Sequence, residues 1–153
     1  MLLLLAANGA PILTARLLHT RCSLALDMGY QLADGRPLFG SSKTWRGLFS
    51  TLLVCSLLAP LLGYSISFGL WFGALVMTGD LVSSFFKRRL GLLPSARCVG
   101  LDQLPEAILP ALYALQVLDY SWLLAVPMAL AFMLLDMLLS RPLFLLHIRK
   151  RPY

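Results

Sequence analysis

The chain has 153 residues, of which 59% are hydrophobic and 13% charged, with a formal charge of +6. Soluble domains carry about a quarter charged residues. A core of this size cannot bury so much apolar surface, so a soluble fold is excluded and a single membrane-embedded, all-α domain over 1–153 is expected.

Met1 to Ala15 carries no charge until Arg16, enough for a short first span ending near Leu18, roughened by Asn8, Gly9 and Pro11. "MLLLLAANGA" has no basic n-region, so it reads as a retained span and not as a cleaved signal peptide. From Leu48 to Gly79 there is again no charge, and apolar character continues to Phe86 through the single acid Asp80. One helix of that length would be nearly twice the roughly 30 Å hydrocarbon thickness, so two helices are predicted, turning around Pro60, Gly63 and Ser65. This puts Asp80 near the far end of span three. Leu104 to His147 reads as spans four and five, parted at "LDYSW", with Pro105 at a helix start and kinks at Pro110 and Pro127. Residues 141–153, "RPLFLLHIRKRPY", read as a basic juxtamembrane tail lying on the bilayer surface.

The basic residues set the orientation. Arg21, Arg36, Lys43 and Arg46 follow span one, Lys87, Arg88, Arg89 and Arg97 follow span three, and Arg149, Lys150 and Arg151 lie in the tail. The turns after spans two and four carry none. Five spans with the N-terminus outside and the C-terminus cytoplasmic satisfy the positive-inside rule, and an even number does not. The charge therefore marks topology in a multi-pass plasma membrane protein, and no nucleic-acid partner is expected. Cys22, Cys55 and Cys98 are widely spaced and lack a Cys-x-x-Cys pair, so neither a zinc site nor a disulfide framework is indicated.

Three segments carry polar chemistry at the cytoplasmic mouth. In "GDLVSSFFKRRLG", Ser83, Ser84 and Lys87 follow Asp80 at i+3, i+4 and i+7 and share its helical face. An acid in a span is a functional candidate by default, although one near a helix end also reaches water or an Arg without further role. In "GLDQLPE", Asp102 and Glu106 stand at the start of span four, where capping and the helix dipole account for them equally well. "RPLFGSSKTWRG" resembles a phosphate-binding P-loop, but two serines separate Gly40 from Lys43 and no strand precedes it. Its physics survives: Lys43 and Arg46 flank a helix start whose free N–H groups attract anions. The competing account is a helix capped by Ser42 or Thr44 with Trp45 as an interfacial anchor. Together the segments suit a polyphosphate and a lipid headgroup, with Mg²⁺ held by one or two acids plus substrate phosphates.

"FGSSKTWRG", "GDLVSSFFKRRLG" and "GLDQ" resemble, in order and spacing, the motifs of the CDP-archaeol synthase family, short five-helix relatives of the phosphatidate cytidylyltransferases. The resemblance implies attack of a lipid phosphate on the α-phosphorus of CTP, giving a CDP-lipid and pyrophosphate, with Mg²⁺ as cofactor. It implies that Lys43, Thr44, Trp45, Arg46 and Gly47 hold phosphates, that Asp80 and Asp102 are catalytic metal ligands, and that Lys87 acts with them. Ser84, Arg88 and Gln103 complete the nucleotide-binding set. The second acid of the closing element is Pro105 here, and the adjacent Glu106 is available to substitute. Two other classes compete: an inactive module that binds lipid phosphate or nucleotide, motivated by Pro105, and a small transporter. The sequence does not choose the lipid and leaves a homodimer open.

Overall fold

The computed structural model describes residues 1–19, 21–94, 96, 98 and 100–145, with side chains to residue 139. It is all-helical: α1 (Leu2–Leu18), α2 (Trp45–Leu61), α3 (Ile66–Arg89), α4 (Gln103–Val117) and α5 (Ala125–Leu145), the last preceded by a 3₁₀ turn at Trp122–Leu124. The boundaries have local causes. Thr44 caps α2 by accepting from the Gly47 N–H at 3.3 Å, and Ser65 caps α3 by accepting from Phe68 at 3.1 Å. Between α2 and α3, Gly63 sits at φ +82, as a tight reversal requires. The predicted hairpin is therefore observed where the sequence placed it.

Consecutive helices pack on one another, and α1 also reaches α3 and α5, so α3 stands in the middle. It is admitted there by missing side chains. A Cβ on Gly69 would lie 2.7 Å from the Ala59 Cβ, and one on Gly73 would lie 3.1 Å from the Cys55 Cβ, so α2 and α3 touch backbone to backbone. Outward, Leu53, Leu57 and Leu61 line an exposed strip of α2, and Leu130, Leu134 and Leu138 line one of α5. Unbroken apolar strips of this kind mark a lipid or protein contact. Among the described residues two helical stretches, Ile66–Arg89 and Trp122–Leu139, are long and apolar enough to cross a membrane, while α1 and α2 are shorter apolar helices.

Two helices run further than the apolar stretches that predicted them. Helix α3 continues nine residues past Asp80, about 14 Å. Lys87 is helical, as its shared face with Asp80 predicts, and so are Arg88 and Arg89, which were expected in the loop after span three. Their positive charges favour the C-terminal end of a helix dipole, which supports the extra turns. Helix α5 continues past Ser140 to Leu145, through Arg141 and Pro142, so the first five residues of the expected tail are helical. The remainder of the expected tail, with Arg149, Lys150 and Arg151, lies outside the described residues, as does Arg97.

Candidate active site

The segment from His19 to Lys43 folds back over the C-terminal half of α3. Antiparallel bridges join Ala25 to Thr44 and Gln31 to Pro37, giving the segment two small hairpin-like closures. Its organiser is Asp27, which accepts from the Gly29, Phe39 and Gly40 N–H groups at 3.1, 2.9 and 2.7 Å. Burial works to raise the Asp27 pKa, but these three backbone donors together hold it below the ordinary carboxylate value. The sign follows directly. A depressed folded pKa adds stability above the ordinary value near 3.8 that is lost as the pH falls through the folded value. Limited proteolysis between residues 19 and 44 should accelerate below that range in the native chain. In Asp27→Asn it should already be fast at neutral pH and change little with acid.

Cationic side chains staple the segment to α3. Arg89 grips the Asp34 carboxylate with both oxygens at 2.7 Å and donates to the Pro37 carbonyl at 2.6 Å, while Arg36 donates to the Arg89 carbonyl. Arg46, at the start of α2, donates to the His19 and Arg21 carbonyls at 2.7 and 2.9 Å and so ties α2 to the end of α1. A Cβ on Gly47 would meet the capping Thr44 hydroxyl at 3.3 Å and make an ordinary contact with Pro11 of α1 at 3.5 Å. Trp45 stacks on Phe49 with centroids 5.9 Å apart.

Beneath the segment lie two ion pairs. Lys43 Nζ meets both Asp80 oxygens, at 2.6 and 2.5 Å, linking the loop to α3. Lys87 Nζ, seven residues on along the same face, meets Asp102 Oδ1 at 2.6 Å and the Ala96 carbonyl at 3.2 Å, linking α3 to the start of α4. Burial alone would lower the Lys43 pKa, but the Asp80 carboxylate outweighs it and the amine is held charged above its usual value. Asp102 takes the N-cap position of α4 without capping it. Its Oδ2 accepts from the Cys98 N–H at 2.9 Å, so the capping account is not what the side chain does. Gln103 accepts from the Gly100 N–H at 3.0 Å and fixes the same turn.

Glu106 is buried one turn into α4 and lies within electrostatic reach of Asp80, Lys43, Asp102 and Asp136. Its place depends on Gly79, whose imagined Cβ would stand 2.6 Å from the Glu106 Cα. That contact sets Asp80 beside the first turn of α4. Arg88 is 3% exposed; its Nη2 donates to the Leu93 carbonyl at 2.9 Å, whereas its Nε and Nη1, together with Ser84 Oγ, are buried with no hydrogen-bond partner. Buried donors without acceptors are costly, and they equip the site for an anion.

Lys43, Asp80, Lys87, Asp102 and Glu106 are thus brought together, Ser84 and Arg88 lie on the same helix, and Arg46 is engaged elsewhere. Sequence reading missed two residues. Asp27 was hidden in an irregular loop, where no periodicity marks a buried carboxylate. Asp136 had a visible signal, an acid inside span five, and it falls on the buried face of α5 defined by Ala125, Ala129 and Phe132. Among the described residues no three acid, His or Cys side chains form a ready-made metal cage. The donor set still fits Mg²⁺, which is commonly held by one or two carboxylates and completed by substrate phosphates and water.

Residues 15–149 match a family described as CarS-like, CDP-archaeol synthase. The CDP-archaeol synthase of Pyrococcus furiosus is 39% identical over 109 residues, covering 63% of this chain and 60% of that protein. That of Hyperthermus butylicus is 39% identical over 118 residues, covering 72% and 67%, and that of Thermococcus onnurineus 37% over 128 residues, covering 74% and 71%. The matched part therefore spans about three fifths of the Pyrococcus protein's length. A solved structure, described as an intramembrane enzyme for archaeal membrane lipids biosynthesis, is similar with a TM-score of 0.75 and 30% identity over 92% of this chain and 89% of that one.

Proposed function

The chain belongs to the CDP-archaeol synthase family, and from that premise we propose that it is a CTP-dependent cytidylyltransferase that activates a lipid phosphate in phospholipid biosynthesis. The observation that carries the reading is the two partly buried ion pairs, Lys43 with Asp80 and Lys87 with Asp102, set below a loop, with Ser84 Oγ and the Nε and Nη1 of Arg88 buried on the same helix without hydrogen-bond partners. Two lysines and an arginine at one place offer charge to a triphosphate and to the phosphate that attacks it. In the reaction a lipid phosphate oxygen forms a bond to the α-phosphorus of CTP. The bond from that phosphorus to the bridging oxygen of the β-phosphate breaks, and pyrophosphate leaves with the electron pair.

Substrate binding would exchange each lysine's partner, so that Lys43 and Lys87 turn toward phosphate oxygens while Asp80 and Asp102 are freed. Those two carboxylates, with Glu106 in the place left by Pro105, would hold Mg²⁺, which when bound neutralises charge gathering on the phosphates. Arg88 and Ser84 would donate to the nucleotide phosphates, and Gln103 would keep the Asp102 turn in register. Thr44, Trp45 and Gly47 set the start of α2, and Arg46 holds it against α1. The five helices are read as five spans with the N-terminus outside and the site facing the cytoplasm of a multi-pass plasma membrane protein, as the basic clusters require.

The ion pairs also favour a second reading, a module that binds CTP or lipid phosphate without turnover, since both acids are neutralised by lysines. Purified protein in detergent, supplied with CTP, Mg²⁺ and either phosphatidic acid or its ether-linked isoprenoid analogue, should release pyrophosphate and form a CDP-lipid visible by mass spectrometry. Asp102→Asn should reduce this at least about a hundredfold, the scale for losing one electrostatic contact to the transition state. Binding without any product in the native chain would replace the enzyme by the module.

A further inference from the structure

Away from the ion pairs, a cavity of about 360 Å³ lies between α1, α3, α4 and the beginning of α5. Met1 and Leu2 on its rim are exposed, so it opens to the surroundings, and an apolar groove of this size calls for an apolar occupant. Its wall is made by Ala107, Ala111 and Ala114 of α4 and Leu118 just after it, and Phe72 on α3 also lines it. The three alanines recur at helical spacing, and their small side chains are what leaves the space open. Apart from Tyr64, only apolar side chains line it, and an apolar cavity stays dry and takes apolar ligands.

The cavity begins where the ionic site stops. Ala107 directly follows Glu106, and the Gly79 contact fixes that turn beside Asp80. From Ala107 to Leu118 the wall is about 16 Å long, and Phe68, which also lines the cavity, lies about 18 Å along α3 from Asp80. At about 30 Å³ for a water-sized group, the volume holds on the order of a dozen methylene-sized groups.

We propose that this cavity receives the distal part of one hydrocarbon chain of the lipid phosphate and, with Tyr64 and Leu62 at its far end, limits the chain length that is handled efficiently. The inference rests on the reading of the ionic site as a lipid-phosphate site. A chain of the surrounding bilayer would fill the same space, but it would confer no dependence on the substrate's own chain.

The test is a series of phosphatidic acids with paired eight-, twelve-, sixteen- and twenty-carbon chains, given with CTP and Mg²⁺ to the native chain and to Ala111→Phe. The bulky ring should lower kcat/KM at least tenfold for the two longest substrates, through KM, and less than threefold for the shortest. Equal losses along the series would overturn the proposal. If Ala111→Phe does not fold, Leu118→Trp at the half-buried rim should shift the preference in the same direction. Native mass spectrometry of the same lipids without CTP gives the ratio of long-chain to short-chain affinity, which the variant should cut at least fivefold. A native chain that binds with this ratio but makes no CDP-lipid would refute the enzymatic reading and leave the cavity assignment standing; an unchanged ratio would refute the assignment.

Discussion

Asp80→Asn should lower CDP-lipid formation by about two to three orders of magnitude, the larger part in kcat. The variant keeps the shape of the side chain and removes the charge that faces Lys43 across 2.5 Å. Losing a contact made in a water-excluded site to the transition state costs about 3–4 kcal/mol. A structural cost accompanies it, because Lys43 is left partly buried without its counter-charge, and breaking one side of such a pair destabilises. The two contributions separate in a double variant. Asp80→Leu combined with Lys43→Met removes both charges, so thermal stability should return toward the native value while activity stays lost. Recovery of activity together with stability would mean that the pair only holds the loop to α3 and that Asp80 has no part in the chemistry.

Gly79→Val should be as damaging for a different reason. The imagined Cβ already stands 2.6 Å from the Glu106 Cα, against backbone that cannot swing aside. Helices α3 and α4 would have to part, and overpacking of this kind costs about 1–3 kcal/mol or more. Because the same contact sets Asp80 beside Glu106, activity should fall further than the loss of folded protein explains. Gly9→Ala offers the contrast, since nothing lies within 4 Å of its imagined Cβ on α1. That change should stabilise by about 0.5–1 kcal/mol, as alanine favours a helix over glycine. Thermal melts in one detergent, with activity per folded molecule, check both. A Gly79→Val protein that melts and turns over like the native chain would remove the close approach from the account of the site.

The helices were legible because their signals are local. Charge-free runs, the Pro60–Gly63–Ser65 turn and the capping hydroxyls of Thr44 and Ser65 act within a few residues, and the structure places each helix accordingly. The extent of α3 was less visible, since Lys87, Arg88 and Arg89 look polar in a hydropathy profile and their partners are distant: Lys87 meets Asp102 and the Ala96 carbonyl, Arg88 the Leu93 carbonyl, and Arg89 the folded-back segment at Asp34 and Pro37. Asp102 shows the same limit: its sequence position fits an N-cap, yet its carboxylate is taken by Lys87 and the Cys98 N–H.

The sequence by itself determined an apolar all-helical chain, the family, and the three polar segments that could meet. The helices and polar segments follow from composition and periodicity, and the family from the resemblance of the motifs, all of which are properties of neighbours along the chain. Only the tertiary structure decided which charges face each other, Lys43 with Asp80 and Lys87 with Asp102, and that Asp27 organises the loop above them. Ion pairing and close packing fall steeply with distance in space, and residues 37 apart in sequence, such as Lys43 and Asp80, acquire that distance only when Gly69, Gly73 and Gly79 let the helices close.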